Sequence, residues 1–208
     1  MGAMATTRDV SIAILCGGRS RRMGRDKGLM PFLGQPLIQR VIARVRPLSD
    51  DIVLITNRPD DYRFLGLPML PDVVPDRGPL GGAFTAASRA RAAALVLVAC
   101  DMPFVNADLL AYACEELLAR ACDAVVPMTA QGPEALHAAY RSTSCAPAMS
   151  AALAEGALQM TAWLGRVRTH FIPAEEVARF DPEGMAFVNV NTPEAFRAAE
   201  QRAAECCG

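Results

Sequence analysis

The chain has 208 residues, of which 52% are hydrophobic, and its formal net charge is −1. This composition excludes a disordered chain and indicates a compact protein with a sizeable core. The balanced charge excludes a global field that would attract nucleic acid or a membrane surface, and no apolar run approaches the roughly 18 residues that a membrane span requires. We therefore expect one domain over residues 1–208, with residues 1–8 flexible or tag-derived.

Apolar runs alternate along the chain with segments of helical periodicity. The runs predict strands over 10–16, 51–56, 94–100, 123–127, 135–140, 167–172 and 187–191, with a short extended piece over 68–72. The periodic segments predict helices over 37–45, 60–67, 81–91, 106–117, 146–153 and 160–164, and from residue 193 onward. Strands that alternate with helices are typical of a mainly parallel sheet covered on both faces, so we expect a Rossmann-like α/β fold of three layers.

A basic, glycine-rich loop follows the first predicted strand, in the stretch IAILCGGRSRRMGRDKGL at 12–29. Glycines let the backbone approach an anion, and arginine and lysine form charge-assisted hydrogen bonds to phosphate oxygens. The spacing matches neither the P-loop nor the dinucleotide fingerprint, because Gly17 and Gly18 are adjacent and Lys27 precedes Gly28. We interpret the loop as a binding site for a nucleoside triphosphate, the alternative being a solvated basic turn.

Asp101 directly follows the most hydrophobic predicted strand. Ligands of open α/β sheets bind outside the carboxyl ends of the strands, so Asp101 should lie near the loop. A carboxylate there suits Mg²⁺ on a triphosphate, and the alternative is a capping aspartate before Pro103. Lys27 is predicted to stabilise charge on the reacting phosphate, and its alternative is a solvated ion pair with Asp26.

Four short motifs occur in order: LCGGRSRRMGRDKG at 15–28, GPLGG at 78–82, CDMPF at 100–104 and NVNTP at 189–193. They resemble the motifs of the molybdenum cofactor guanylyltransferase family within the nucleotidyltransferase superfamily. The family's first motif reads Leu-Ala-Gly-Gly-x-x-x-Arg-Met-Gly and then Asp-Lys-Gly, so this chain departs from it at Cys16. The resemblance spans 12–196 and implies a fold like that of the nucleotide-diphospho-sugar transferases.

The resemblance implies transfer of GMP from Mg·GTP to the phosphate of molybdopterin or molybdenum-loaded molybdopterin, with release of pyrophosphate. Mg²⁺ is the implied cofactor, and other proteins of the cofactor pathway and apo-molybdoenzymes are implied partners. The acceptor phosphate is ionised at neutral pH, so positioning and charge neutralisation suffice and no strong general base is expected. The alternatives are a molybdopterin cytidylyltransferase that uses CTP, a sugar or polyol phosphate nucleotidyltransferase, and a non-catalytic nucleotide-binding maturation module.

The resemblance also implies roles for individual residues. Catalytic roles are expected for Lys27, Asp101 and Arg22, with Asp101 as the metal ligand. The residues expected to bind the nucleotide or lie beside it are Leu15, Cys16, Gly17, Gly18, Arg19, Lys27, Asn57, Asp72, Gly78, Asp101, Asn189 and Asn191. Asp72 is expected to accept the N1–H and N2–H of guanine, with Asp76 as a competing candidate. Ile55 stands where the family often has an asparagine that contacts the nucleotide.

Two further features carry open interpretations. His137 either lines the acceptor pocket or is a core histidine with a satisfied ring. The seven cysteines are odd in number, form no C-x-x-C pair and follow no signal peptide, which predicts reduced thiols in a cytoplasmic protein.

Overall fold

The computed structural model describes residues 9–17 and 26–205. Gly18, Arg19 and Arg22 of the predicted nucleotide loop lie outside the described residues, as do residues 1–8.

The described residues alternate between strand and helix, as predicted. The strands are β1 (Val10–Leu15), β2 (Pro31–Phe32), β3 (Gln35–Pro36), β4 (Ile52–Ile55), β5 (Met69–Leu70), β6 (Ala94–Ala99), β7 (Ala124–Thr129), β8 (Gly132–Pro133), β9 (His137–Tyr140) and β10 (Thr169–Ile172). The α-helices are α1 (Leu37–Val45), α2 (Pro59–Tyr62), α3 (Gly78–Arg89), α4 (Ala107–Ala119), α5 (Ser142–Ala154), α6 (Ala174–Val177) and α7 (Pro193–Glu205). Single 3₁₀ turns lie at Lys27–Leu29, Arg63–Leu65 and Leu164–Arg166.

One mixed sheet organises the fold, with strand order β10-β7-β9-β6-β1-β4-β5 and β8 paired to β7. The strand β1 is parallel to both of its neighbours, and Ile14 lies in register with Val98 of β6 and Leu54 of β4. The strand β9 runs antiparallel to β6 and β7, and β8 runs antiparallel to β7. The other strands of this sheet are parallel, which confirms the predicted mainly parallel α/β class.

The two faces of the sheet are each covered by helices because β1 is apolar on both sides. Ile12 and Ile14 pack with buried side chains of α1 and α4. Ala13 and Leu15 alternate to the opposite face and pack with buried side chains of α3 and α5. The result is the predicted three-layer sandwich.

The C-terminal helix α7 packs outside the two main layers. Its Phe196 meets Phe32 of the small β2–β3 hairpin edge to face, with the ring centroids 5.5 Å apart. Val190 and Phe104 join this third apolar cluster, which ties the chain just before α7 to the carboxyl edge of the sheet. No helix among the described residues is long and apolar enough to cross a membrane.

Two predicted elements are wrong. The segment 187–191 is not a strand. Among the described residues its backbone is bonded to the sheet edge at one point, where the Val190 N–H donates to the Asp101 carbonyl at 3.0 Å. The segment 160–164 is not a helix but forms successive tight turns. The N–H groups of Ala162 and Leu164 each donate to the carbonyl group three residues earlier in the chain. The predicted strand 135–140 begins only at His137.

Candidate active site

The order in which strands are added to the sheet reverses beside β1. It moves from β1 to β4 and β5 on one side and then returns to β6 on the other, so the carboxyl ends of β1 and β6 flank a topological switch point. Ligands of open α/β sheets bind in such crevices. A cavity of about 300 Å³ lies there, lined by Leu15, Gly17, Asp26, Lys27, Pro79, Ala99, Cys100, Asp101, Leu136, Asn189 and Asn191.

Lys27, Asp101 and Asn191 meet in this cavity although the chain separates them widely. The Lys27 Nζ donates to Asp101 Oδ2 at 2.8 Å and also donates to Asn191 Oδ1. The side chains of Lys27 and Asp101 are 17% and 16% exposed, so the ion pair is largely shielded from water yet open to the cavity. The structure thus places a cation between two oxygen ligands at the end of β6.

The oxygen atoms of Asp101 and Asn191 fit a hard divalent cation, which prefers carboxylate and carbonyl oxygens. The described residues contain no group of three or more His, Cys, Asp or Glu side chains that could hold a metal ion. Asp101 and Asn191 supply two oxygen ligands, and Mg²⁺ commonly takes its remaining ligands from water and substrate phosphates.

Asp26 and Tyr62 anchor the turn that carries Lys27, and the sequence did not identify this contact. Asp26 Oδ1 accepts from the Gly28 N–H at 3.1 Å and from the Tyr62 hydroxyl at 2.7 Å. Tyr62 is fully buried, and a Cβ at Gly28 would lie 2.9 Å from its hydroxyl oxygen and 3.3 Å from Cys100 Sγ. Tyr62 lies in the segment that follows the carboxyl end of β4. Its position after a strand end, where ligands of α/β sheets bind, is the sequence feature that could have indicated a role at the site.

A second, narrow slot lies between the ends of β1 and β4, and several residues predicted to bind the nucleotide line it. Gly17, Asn57, Asp72 and Gly78 line it. Asn57 Nδ2 donates to Asp72 Oδ2 at 2.9 Å, and the Asp72 N–H donates to Asn57 Oδ1 at 2.9 Å. Burial raises the pKa of Asp72, and the hydrogen bond from Asn57 partly offsets the rise.

Two further residues lie near this slot: Asp76, the competing candidate for contact with the base, and Ile55, which stands where the family often has an asparagine. Asp76 is exposed and adopts a left-handed conformation with φ of 59°, and it does not line the slot. Ile55 ends β4 with 2% of its surface exposed, and it lines the slot as an apolar wall. The slot therefore offers Asp72 and Asn57 as polar groups where a base could bind.

Cys16 contributes to the site through its backbone position. Its side chain is 1% exposed, and its thiol lies 3.6 Å from the Ile14 carbonyl, to which it donates. Burial, followed by the hydrogen bond to Cys100, raises the pKa of the Cys16 thiol. All five cysteines within the described residues are buried and unpaired, as predicted.

Asn189, Asn191 and His137 lie in different environments. Asn189 lines the switch-point cavity and donates its amide to the Phe187 carbonyl at 3.0 Å, so it lies beside Asn191 without sharing the contact to Lys27. His137 is fully buried, and its Nε2 accepts from the Asn106 N–H at 3.0 Å. Burial lowers the pKa of His137 to about 4, so it is a neutral core histidine. Its ring is not fully satisfied as expected, because Nδ1 is buried and has no hydrogen-bond partner among the described residues.

The structure therefore gathers most predicted site residues at one edge of the sheet. Within the described part of the chain, the switch-point cavity and the adjoining slot together are lined by Leu15, Cys16, Gly17, Lys27, Asn57, Asp72, Gly78, Asp101, Asn189 and Asn191. Their individual roles stay predictions.

Comparisons with known proteins show the family to which the chain is similar. Residues 12–169 match the family described as the MobA-like NTP transferase domain. The chain is 35% identical over 189 residues to the molybdenum cofactor guanylyltransferase of Shewanella pealeana, covering 89% of this chain and 90% of that protein. It is 30% identical over 186 residues to the protein of the same name from Syntrophotalea carbinolica, covering 89% and 88%.

A solved structure shares both fold and sequence with this chain. The molybdopterin-guanine dinucleotide biosynthesis protein A of Archaeoglobus fulgidus superimposes with a TM-score of 0.82 at 27% identity, covering 94% of this chain and 99% of that one. The chain accordingly belongs to the MobA-like NTP transferase family and is a nucleotidyltransferase.

Proposed function

We propose that this chain transfers GMP from GTP, carried as its magnesium complex, to the terminal phosphate of molybdopterin or molybdenum-loaded molybdopterin. An acceptor phosphate oxygen bonds to the α-phosphorus of GTP, the bond from that phosphorus to the oxygen bridging to the β-phosphate breaks, and pyrophosphate leaves. The observation that carries the proposal is the convergence of Lys27, Asp101 and Asn191 at the switch point between β1 and β6.

Lys27 is suited to bind the phosphates. Its ammonium group lies in the cavity with its position set by two oxygen partners, Asp101 and Asn191. A triphosphate that enters the cavity can take one of these hydrogen bonds, and charge that develops on the reacting phosphate then meets a fixed cation. The acceptor phosphate is already ionised at neutral pH, so orientation of the two substrates replaces a general base.

Asp101 is the residue proposed to hold the metal ion. Its carboxylate ends β6 and faces the cavity through its pairing with Lys27, and the Asn191 amide oxygen is close by. A bound Mg²⁺ would neutralise phosphate charge and orient the leaving pyrophosphate.

Asp72 is proposed to choose the base. A carboxylate can accept the N1–H and N2–H of guanine together, whereas neither cytosine nor adenine offers that pair of donors. Asn57 holds Asp72 through two reciprocal hydrogen bonds, which fixes the carboxylate in the slot. The guanylyltransferase names of the relatives above support this choice of nucleotide.

The test combines binding with turnover. In calorimetric titrations with Mg²⁺ present we expect GTP to bind more tightly than CTP or ATP, and we expect pyrophosphate release from GTP only when molybdopterin is added. Asp72→Asn should reduce the preference for GTP at least tenfold, while Asp76→Asn, a matched control that tolerates the left-handed backbone, should leave it within twofold. Tighter binding of CTP would indicate a cytidylyltransferase, and binding without pyrophosphate release would indicate a non-catalytic module.

A further inference from the structure

A second cavity of about 510 Å³ is lined in part by the same two chain segments that line the switch-point cavity. Glu134 lies on the wall of the second cavity and Leu136 on the wall of the first, and likewise Phe187 and Asn189. A ligand with its phosphate beside Lys27 would reach the second cavity by extending along these two segments.

The two cavities differ in charge. The switch-point cavity carries the Lys27 ammonium. The described residues that line the second cavity include two carboxylates, Glu134 and Asp181, and no lysine, arginine or histidine. Apolar side chains such as Val177 and Phe187 form much of the remaining wall. This lining suits an uncharged, flat group that donates hydrogen bonds, and it disfavours a phosphate.

The two carboxylates differ in how far the protein already satisfies them. Asp181 accepts from the Met185 N–H at 2.9 Å with one oxygen and from the Ala186 N–H at 2.8 Å with the other, so it holds the following turn in place. The Glu134 carboxylate accepts one side-chain hydrogen bond among the described residues, from Thr129 Oγ1 at 3.3 Å, and pairs with no described cation.

The backbone fixes Glu134 at the rim between the cavities. Its N–H donates to the Pro127 carbonyl at 2.9 Å, and its carbonyl accepts from the His137 N–H at 3.1 Å. Partial burial raises the pKa of Glu134, and the bond from Thr129 offsets part of that rise. Such a desolvated carboxylate gains from a ligand that supplies N–H donors.

We propose that Glu134 recognises the pterin ring of the acceptor by accepting hydrogen bonds from its 2-amino group and the neighbouring ring N3–H. A 2-amino-4-oxopyrimidine edge presents these two donors side by side, which matches the two oxygens of one carboxylate. Phe187 and Val188 then pack against the ring. This inference rests on the proposed function, because that function supplies a pterin acceptor.

Fluorescence titrations with free pterin and with lumazine, its 2,4-dioxo analogue, test the inference on the full chain. Wild type should bind pterin at least tenfold more tightly than lumazine. Glu134→Gln should weaken pterin binding at least tenfold and favour lumazine, because the amide can donate to the 2-oxo group while its oxygen accepts from N3–H. Glu175→Gln, which removes the same charge from an exposed position on α6, should match wild type within twofold.

The outcomes separate this inference from the proposed function. Pterin binding by Glu134→Gln within twofold of wild type, or no pterin binding by wild type, overturns the inference. An inverted ring preference in a variant with wild-type GTP affinity supports it, since a loss of folding would not invert a preference. Pyrophosphate release by wild type together with an unchanged KM for molybdopterin in Glu134→Gln overturns the inference alone, whereas an inverted preference without any pyrophosphate release overturns the guanylyl transfer alone.

Discussion

The hydroxyl group of Tyr62 offers a sharp test of how the turn bearing Lys27 is held. Tyr62→Phe removes only the oxygen that donates to Asp26 Oδ1 at 2.7 Å and leaves the ring in place, so no cavity forms. The donor is fully buried and the Asp26 side chain is 13% exposed, so water replaces the lost bond poorly.

The magnitude follows from the charge of the acceptor. A hydrogen bond to a charged group contributes roughly 1.5–3 kcal/mol to stability. Asp26 keeps the Gly28 N–H at 3.1 Å, and Arg58 Nη1 lies 3.9 Å from its other oxygen, so we expect a loss near the middle of that range, about 2 kcal/mol. For a chain of this size that loss lowers Tm by about 4–8 °C.

Tyr140→Phe is the matched control. Tyr140 is also fully buried and also donates at 2.7 Å, but its acceptor is the neutral carbonyl of Ala135. We expect this control to lose about 1 kcal/mol, because hydrogen bonds between neutral groups are about half as strong as charged ones.

The assay is urea unfolding followed by circular dichroism, with kcat/KM for GTP measured in parallel. Tyr62→Phe should lower the urea midpoint more than Tyr140→Phe does, and neither variant should change the denaturant slope m. Of the two variants, we expect a several-fold lower kcat/KM in Tyr62→Phe and an unchanged value in Tyr140→Phe. Equal stability losses in the two variants, or wild-type kcat/KM in Tyr62→Phe, would refute the role assigned to the Tyr62–Asp26 contact.

Three further predictions concern other parts of the molecule. Lys27→Ala and Asp101→Asn should each lower pyrophosphate release at least a hundredfold while the circular dichroism spectrum is retained, and wild-type rates in either would contradict its assigned role. Gly81→Ala should destabilise the protein by about 1–3 kcal/mol in urea, because its Cβ would lie 2.9 Å from the Val74 carbonyl oxygen. Because burial lowers the pKa of His137 from 6.5 to about 4, the unfolded state binds the proton first as pH falls. Between pH 7 and pH 4 the free energy of unfolding should therefore fall by about 3 kcal/mol more in wild type than in His137→Gln. If urea unfolding gives the same dependence of this free energy on pH in both proteins, His137 is not the titrating group.

The positions of the site residues were predictable where a buried strand ends in a polar residue. The runs before Gly17, Asn57 and Asp101 are apolar on both faces, which indicated parallel central strands. Parallel strands bring their carboxyl ends to one edge, so the sequence alone predicted that these residues would lie together. The strand direction of β9 was not predictable in this way, because an apolar run reads the same in a parallel and an antiparallel neighbour.

The error at 187–191 has a specific physical cause. Alternating Val and Asn residues predict an extended backbone, and the segment crosses the sheet edge with one backbone bond to Asp101. An extended segment becomes a strand only if a neighbouring strand has backbone N–H and C=O groups free to pair with it. The periodicity of the sequence does not show whether such a neighbour exists. Val190 packs with Phe196 of α7 instead, and this contact directs the segment across the strand ends, where Asn191 reaches Lys27.

Contacts that join distant segments explain the rest of what was missed. Asp26 and Tyr62 are 36 positions apart, and each has an ordinary local interpretation, as a turn aspartate and a short-helix tyrosine. Only the close approach of Gly28 to both Tyr62 and Cys100 shows why a glycine must follow the lysine. The glycine is there because no side chain fits, and the sequence suggested only backbone freedom.

The buried environment of Cys16 shows why this residue can stand where the family has alanine. Burial raises the pKa of the Cys16 thiol and of the Tyr62 hydroxyl, so both stay protonated at neutral pH. Neither group then adds a negative charge near the turn that carries Lys27, the residue proposed to bind phosphate. The Cys16 side chain is 1% exposed and its thiol donates to the Ile14 carbonyl, so the substitution adds a neutral, buried side chain to the core.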